Sequence, residues 1–251
     1  MSGHSKWKTI KHQKGIADAR KGQRFTRLAR EIAIAAKEGG GSLDSNFRLR
    51  LAVDKARSNS MPKENIERAI KRGTGEDKEA AAFETVMYEG YGPHGVGLLM
   101  QVVTDNKNRT VAELRRVTTR AGGSMAEAGA VGWQFVRKAY ITVPAGGNDP
   151  DKILEIAADA GADDVIPSDD EIEVFAPAES FHAVVQALEK AGVKIVESEL
   201  RMEPNQRIEL AAEEAAQAMK LIEQLEELDD VQNVYSNLEI TDAALAVLET
   251  A

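Results

Sequence analysis

Between Asp18 and Lys37 the apolar positions fall at Phe25, Leu28, Ala29, Ile32 and Ala36, the i, i+3, i+4, i+7, i+11 spacing of one buried helical stripe. Arg20, Arg24 and Arg27 share another face, and Gly39-Gly40-Gly41 ends the helix, because glycine tolerates the left-handed geometry of a helix C-terminus. A second helix is predicted from about Asn46 to Arg57, with Leu49, Ala52, Val53 and Ala56 inward. A third follows Met61-Pro62 with Ile66, Ala69 and Ile70 inward and is expected to close at Gly73. Three short amphipathic helices on short connections predict a small bundle, followed by a linker over 73–82.

Beyond the linker the hydrophobic period changes. Strands are predicted at Val86–Glu89, Val96–Thr104, Val131–Val136, Ala139–Pro144, Glu171–Phe175, Lys194–Met202 and near Asn233–Ser236. Helices are predicted at Thr110–Ala121, opened by the capping box Thr110-x-x-Glu113, and at Pro150–Ala160, Glu179–Ala191 and Ala211–Leu228. Strands alternating with single helices predict an α+β class, with the helical bundle followed by two ferredoxin-like sandwiches. The expected division is 1–75 helical, 83–136 with 204–238 a discontinuous α+β domain, and 137–203 a domain inserted into it.

Charge sharpens this picture. The chain of 251 residues has a formal charge of −9, but residues 1–75 carry 18 Lys and Arg against 7 Asp and Glu, a net +11, leaving −20 on the remainder. Residues 1–30 hold nine Lys/Arg opposed only by Asp18. Such asymmetry points to an anionic partner for the basic part, a nucleic acid before all others. There is no cysteine, which excludes disulfides and thiolate chemistry, and the four histidines, His4, His12, His94 and His182, show no metal-site spacing. No apolar stretch reaches the ~20 residues that span a bilayer. A cytoplasmic protein with no membrane partner is expected.

The arm Ser5-Lys6-Trp7-Lys8-Thr9-Ile10-Lys11-His12-Gln13-Lys14 interleaves lysines with two rings. Lysines at phosphates release condensed counterions, and an indole stacks on an unpaired base. Trp7 reads equally well as a hydrophobic anchor docking the arm onto the bundle. The candidate binding residues are therefore Lys6, Trp7, Lys8, Lys11, His12, Lys14, Arg20, Lys21, Arg24 and Arg27. A weaker patch at the entry to the Thr110 helix adds Lys107, Arg109, Arg115 and Arg116, where backbone N–H groups favour phosphate. For this patch the outer face of a sheet-covering helix is the stronger reading.

Gly90-Tyr91-Gly92-Pro93-His94-Gly95 matches the dinucleotide fingerprint letter by letter, but a strand follows instead of the helix that would meet pyrophosphate. It is expected to be a turn between strands. The acidic runs Asp163-Asp164 and Asp169-Asp170-Glu171 lack calcium-loop spacing and read as solvated loop charges. No serine stands in a nucleophile elbow. The expectation is a non-enzyme with no cofactor, no metal and no small-molecule substrate.

The opening Met1-Ser2-Gly3-His4-Ser5-Lys6-Trp7 with Ile10-Lys11-His12 and Lys14 resembles the YebC/PmpR family of bacterial transcriptional regulators. So do, in order, Ala36-Lys37-Glu38-Gly39-Gly40, Asn65-Ile66-Glu67-Arg68-Ala69-Ile70, Tyr88-Glu89-Gly90-Tyr91-Gly92-Pro93 and Thr104-Asp105-Asn106-Lys107-Asn108-Arg109-Thr110. Relatives often have glycine after Gly92-Pro93, where this chain has His94. The resemblance implies a helical domain followed by two α+β domains, the middle one discontinuous. It also implies a bacterial, cytoplasmic protein, since a signature at residue 1 leaves no room for a presequence. Members are described as DNA-binding regulators, and relatives, including a mitochondrial activator of cytochrome oxidase subunit synthesis, act in translation. DNA-binding transcription regulation and an RNA- or ribosome-associated role in translation both remain open. Glu64 and Glu67 in the third helix count against sequence-specific reading of duplex DNA.

Overall fold

The computed structural model describes Trp7 and residues 17–77, 81–168 and 170–250, with side chains over 22–248 and at Trp7. Three helices come first: α1 (Ala17–Gly39), α2 (Phe47–Ser58) and α3 (Lys63–Thr74). Their apolar stripes meet as predicted, Leu28, Ile32 and Ala36 packing with Leu49, Ala52, Val53, Ile66 and Ala69. Asn46 clamps the first turn. Its side chain accepts from Leu49 N–H at 3.0 Å and donates to the carbonyls of Ala35 and Gly40 at 2.8 Å each.

Gly73, expected to close α3, lies inside it. A Cβ there would collide with the Ala33 carbonyl oxygen, so the missing side chain lets α3 press against α1. The left-handed cap is Gly75, at φ 78°.

The remaining elements are β1 (Glu84–Tyr91), β2 (Gly97–Thr104), α4 (Lys107–Arg120), β3 (Ser124–Ala126), β4 (Phe135–Pro144), α5 (Pro150–Asp159), β5 (Asp164–Pro167), β6 (Glu171–Pro177), α6 (Phe181–Lys190), β7 (Glu197–Pro204), α7 (Ala212–Glu226), β8 (Val231–Ser236) and α8 (Asp242–Thr250). They form two antiparallel four-stranded sheets, ordered β3-β1-β2-β8 and β5-β6-β4-β7. The chain is thus α+β, with helices at its N-terminal end. The two sheets are not built alike: the second runs strand–helix–strand–strand–helix–strand, whereas the first opens with the β1–β2 hairpin and receives β8 from beyond β7.

Three local expectations are corrected. The strand predicted over Val131–Val136 is a loop and a single tight turn, Gly132–Gln134, and residues 135–144 make one continuous strand of the second sheet. The helix predicted from Thr110 begins at Lys107, because Asn106 is its cap and accepts from Arg109 N–H at 3.1 Å; Thr110 is interior. The short strands β3 and β5 and the helix α8 were not predicted. The Gly90–Gly95 segment is, as expected, a turn between strands, with His94 in left-handed backbone at φ 59°.

Strand β2 is buried on both faces, which positions everything else. Its alternation sends Leu98, Met100 and Val102 to a core with Leu114 of α4, Met219 and Ile222 of α7 and Leu245 of α8. On the other face Leu99 meets Val131 and Phe135, while Val103 meets Ala33 and Ile34 of α1 beside Phe83. The helical part is therefore packed directly against the first sheet. The second sheet has its own core, from Ile141 and Val174 to Ile153 of α5 and Leu188 of α6, and Phe47 of α2 reaches it, stacking edge-on to His182 at 4.3 Å.

Candidate nucleic-acid interface

Of the basic arm, Lys6, Lys8, Lys11, His12 and Lys14 lie outside the described residues, and Arg20 and Lys21 are described only as backbone of α1. Trp7 is described, and it is 6% exposed within the core beneath the first sheet. It lines a narrow cavity of about 130 Å³ with Tyr140, Arg201, Met202 and Tyr235. A ring so enclosed has no face open to a base, so the geometry supports an anchor, but one seated in the core of the first sheet and not on the helical bundle.

In α1, Arg24 is exposed and donates a hydrogen bond to Asn59 Oδ1 at 3.4 Å, whereas Arg27 is half-buried. Burial lowers the Arg27 guanidinium from its ordinary value, with Asp229 opposing the shift. Its Nε has no hydrogen-bond partner among the described residues.

The cations at the start of α4 have partners within the protein. Lys107 is paired with Glu84 at 2.6 Å. Arg109 Nη2 donates to both carboxylate oxygens of Asp230, at 3.0 and 2.9 Å, and to Asp105 at 3.2 Å. Both cations pair with the protein's own carboxylates, Lys107 in an exposed pair and Arg109 at the edge of a buried one. Arg115 and Arg116, about two turns further on, are exposed.

Asp230, which sequence reasoning passed over, is the centre of this arrangement. It is 2% exposed, immediately before β8, and receives Arg30 Nη2 from α1 at 2.7 Å, the hydroxyls of Thr104 at 3.1 Å and Thr110 at 2.6 Å, and Arg109. Burial pushes its carboxyl up, but the hydrogen bonds from Thr110 and Arg109 and the charges of Arg30 and Arg109 outweigh it and hold the group below the usual carboxylate range. Burial likewise lowers Arg30, against the pull of Asp230 and Asp229. The signature Thr104–Thr110 therefore ties α1, the first sheet and the segment before β8 together.

Beside this cluster lies a groove of about 330 Å³ between α1, α3 and the first sheet. Arg30, Arg68, Arg72 and Asn65 line it over a floor that includes Phe25, Met61 and Phe83. Arg72 stacks on the Phe83 ring at 3.5 Å, bonds the Ala81 carbonyl at 2.9 Å and pairs with Asp105 at 3.2 Å. The exposed side of α3 also carries Lys63, Glu64, Glu67 and Lys71, with Lys63 and Glu67 paired at 3.6 Å.

A second feature absent from the sequence reading is Trp133, 73% exposed. Its loop is rigidly held: the Glu89 carboxylate accepts N–H groups of Gly129, Val131 and Gly132 at 2.8, 2.6 and 2.8 Å. Burial raises Glu89, but these backbone donors win and lower it. No helix of the described residues is long and apolar enough to cross a membrane.

Comparison with known proteins places these features. Residues 5–76 match the family described as the TACO1/YebC protein N-terminal domain, and residues 83–238 match the TACO1/YebC second and third domain. A protein of Acidithiobacillus ferrooxidans named probable transcriptional regulatory protein is 53% identical over 249 residues, covering 99% of both chains. One of the same name from Chlorobaculum tepidum is 49% identical over 251 residues, again covering 99% of each. The crystal structure of a conserved hypothetical protein from Aquifex aeolicus superposes with a TM-score of 0.83 at 42% identity, covering 90% of this chain and 93% of that one.

Proposed function

The chain belongs to the TACO1/YebC family, and we propose that it is a non-enzymatic, cytoplasmic regulator of transcription that binds DNA through its basic N-terminal part. Relatives that match it end to end are named transcriptional regulatory proteins. The observation that carries the DNA reading is the separation of charge: +11 over residues 1–75 against −20 over the rest. A polyanion is attracted by one part and repelled by the other, which orients the protein before any contact forms.

On this reading the task falls to the arm lysines together with the exposed Arg24 and Lys71, while Lys107 and Arg109 also serve the internal network. Glu64 and Glu67 stand exposed on α3, where base edges would lie if it entered a major groove. The grip accordingly falls on the phosphate backbone, with little discrimination among sequences.

The test is a salt series on duplex DNA with the full chain, comparing wild type with Lys6, Lys8, Lys11 and Lys14 replaced together by alanine. If each lysine neutralises one phosphate, the log–log slope falls in magnitude by ~3–4. A variant with wild-type affinity and slope would overturn the arm's role.

A further inference from the structure

The groove beside the arginine cluster has a chemistry that a duplex backbone does not require. A phosphate on the outside of a double helix needs only a surface cation, whereas this site is a cavity of about 330 Å³, at the small end of the ~300–1,000 Å³ of ligand sites. Its lining is apolar and aromatic in part, and joins Arg30, Arg68 and Arg72 to the amide of Asn65 and to the carboxylate of Asp105, which Arg72 pairs. That combination suits an unstacked base carried with its phosphate.

Arg30, Arg72 and Arg109 are matched by Asp105 and Asp230, with Asp229 also acting on Arg30. Arg68 is different: it is exposed, lines the groove and has no hydrogen bond or ion pair among the described residues. A charged donor without such a partner at the edge of a groove is what an anionic acceptor would match.

We propose that this groove takes one unpaired nucleotide of a nucleic-acid strand, with Arg68 at the phosphate, Asn65 at the base edge and the base against the apolar lining. The proposal rests on the nucleic-acid reading above and adds to it a preference for single-stranded or locally opened segments. Asn65, Arg68 and Arg72 all lie on α3, so one helix supplies the polar rim that α1 and the first sheet close from behind.

The experiment is fluorescence anisotropy on the full chain with a labelled 12-nucleotide oligo(dT), its ribose counterpart oligo(U), and a duplex of equal length. Arg68→Ala is expected to weaken single-strand binding by ~10-fold, to lower the single-strand salt slope by ~0.7, and to leave duplex binding within about twofold. Arg68→Lys, which keeps the charge, should recover most of the slope. A nucleoside 5′-monophosphate should compete for the single strand at concentrations where inorganic phosphate of equal ionic strength does not. Either sugar satisfies the proposal, and the tighter of the two oligomers names the strand the groove prefers.

The melting temperature of Arg68→Ala should match wild type, since the side chain is exposed and unpaired among the described residues. Equal weakening on duplex and single strand, or competition by phosphate alone, would reduce Arg68 to a surface charge and overturn the groove while sparing the DNA reading. Wild type that binds none of the three oligomers would overturn both.

Discussion

Replacing Asp230 by asparagine preserves shape and removes one charge, and its consequence can be worked from the contacts. The carboxylate takes Arg30 and Arg109 on one oxygen and Thr104, Thr110 and Arg109 on the other. Asparagine presents an NH₂ in place of one oxygen, so a donor then faces donors, and Arg30 loses its ion-pair partner and keeps only the weaker pull of Asp229 and Asp105. The side chains of Arg30 and Asp230 are only 10% and 3% exposed, which places the pair in the buried class where loss of one partner costs ~3–5 kcal/mol. For a chain of this length ~1 kcal/mol moves a melting midpoint by ~2–4 °C, so a fall of ~10 °C is expected. The assay is thermal and urea unfolding followed by circular dichroism. The double variant Arg30→Met, Asp230→Asn should regain part of the loss, because the stranded charge is gone and a side chain of similar volume fills its place. A single-variant loss below ~1 kcal/mol, the range of an exposed pair, would show that water reaches the cluster and refute the reasoning.

Three further outcomes follow from the same geometry. Acid should loosen the attachment of α1: the folded-state carboxyl of Asp230 lies below the ~3.9 of an unfolded aspartate, so its contribution is complete above that value and is lost as pH falls through the folded one. Far-UV and near-UV titration would show this, and an Asp230→Asn protein with an identical acid transition would contradict it. Trp7→Ala should cost ~3–5 kcal/mol in urea unfolding, as a buried aromatic truncation does, whereas an unchanged midpoint would mean the ring is no anchor. Gly73→Ala should destabilise by ~1–3 kcal/mol through overpacking against Ala33, despite alanine's better helix propensity; a gain of ~1 kcal/mol would show that α1 and α3 are not so close.

How much of this was legible in the sequence depends on whether the deciding partner was near. The stripes of α1, α2 and α3 were readable because the 3.6-residue period is written into Leu28, Ile32, Leu49 and Ile66 themselves. The start of α4 was misread because Asn106 and Thr110 are both good caps, and only the arrival of Asp230 draws the Thr110 hydroxyl inward. Gly73 and Gly75 are equally plausible helix ends until α1 is laid against one of them. The strands β3 and β5, of three and four residues, are too short to show alternation.

At the site the same rule holds. The basic character of the N-terminal part is plain in the sequence, and so is the family signature at Thr104–Thr110, but the internal partners of its cations are not. The run Glu226-Glu227-Leu228-Asp229-Asp230 looks like a solvated acidic stretch, and nothing local distinguishes its last residue from its neighbours. Trp133 sits among glycine and apolar residues that read as strand, and the Glu89 clamp that lifts it into solvent comes from forty residues away.

The tie between Arg30 and Asp230 spans 200 positions, and proteins are made from one end. At ~5–20 residues per second, ~10–40 s pass between the emergence of the basic helix and that of its acidic counterpart. Throughout that interval α1 and α3 can assemble from nearby sequence, but Arg30, Thr104, Thr110 and Arg109 have no carboxylate at their centre. The nascent molecule therefore presents its cations to the surrounding polyanions before the clasp that holds them exists. Asp230 and β8, synthesised after every other strand, both complete the first sheet and draw the opening helix home, so the finished arrangement is reached only once they have emerged.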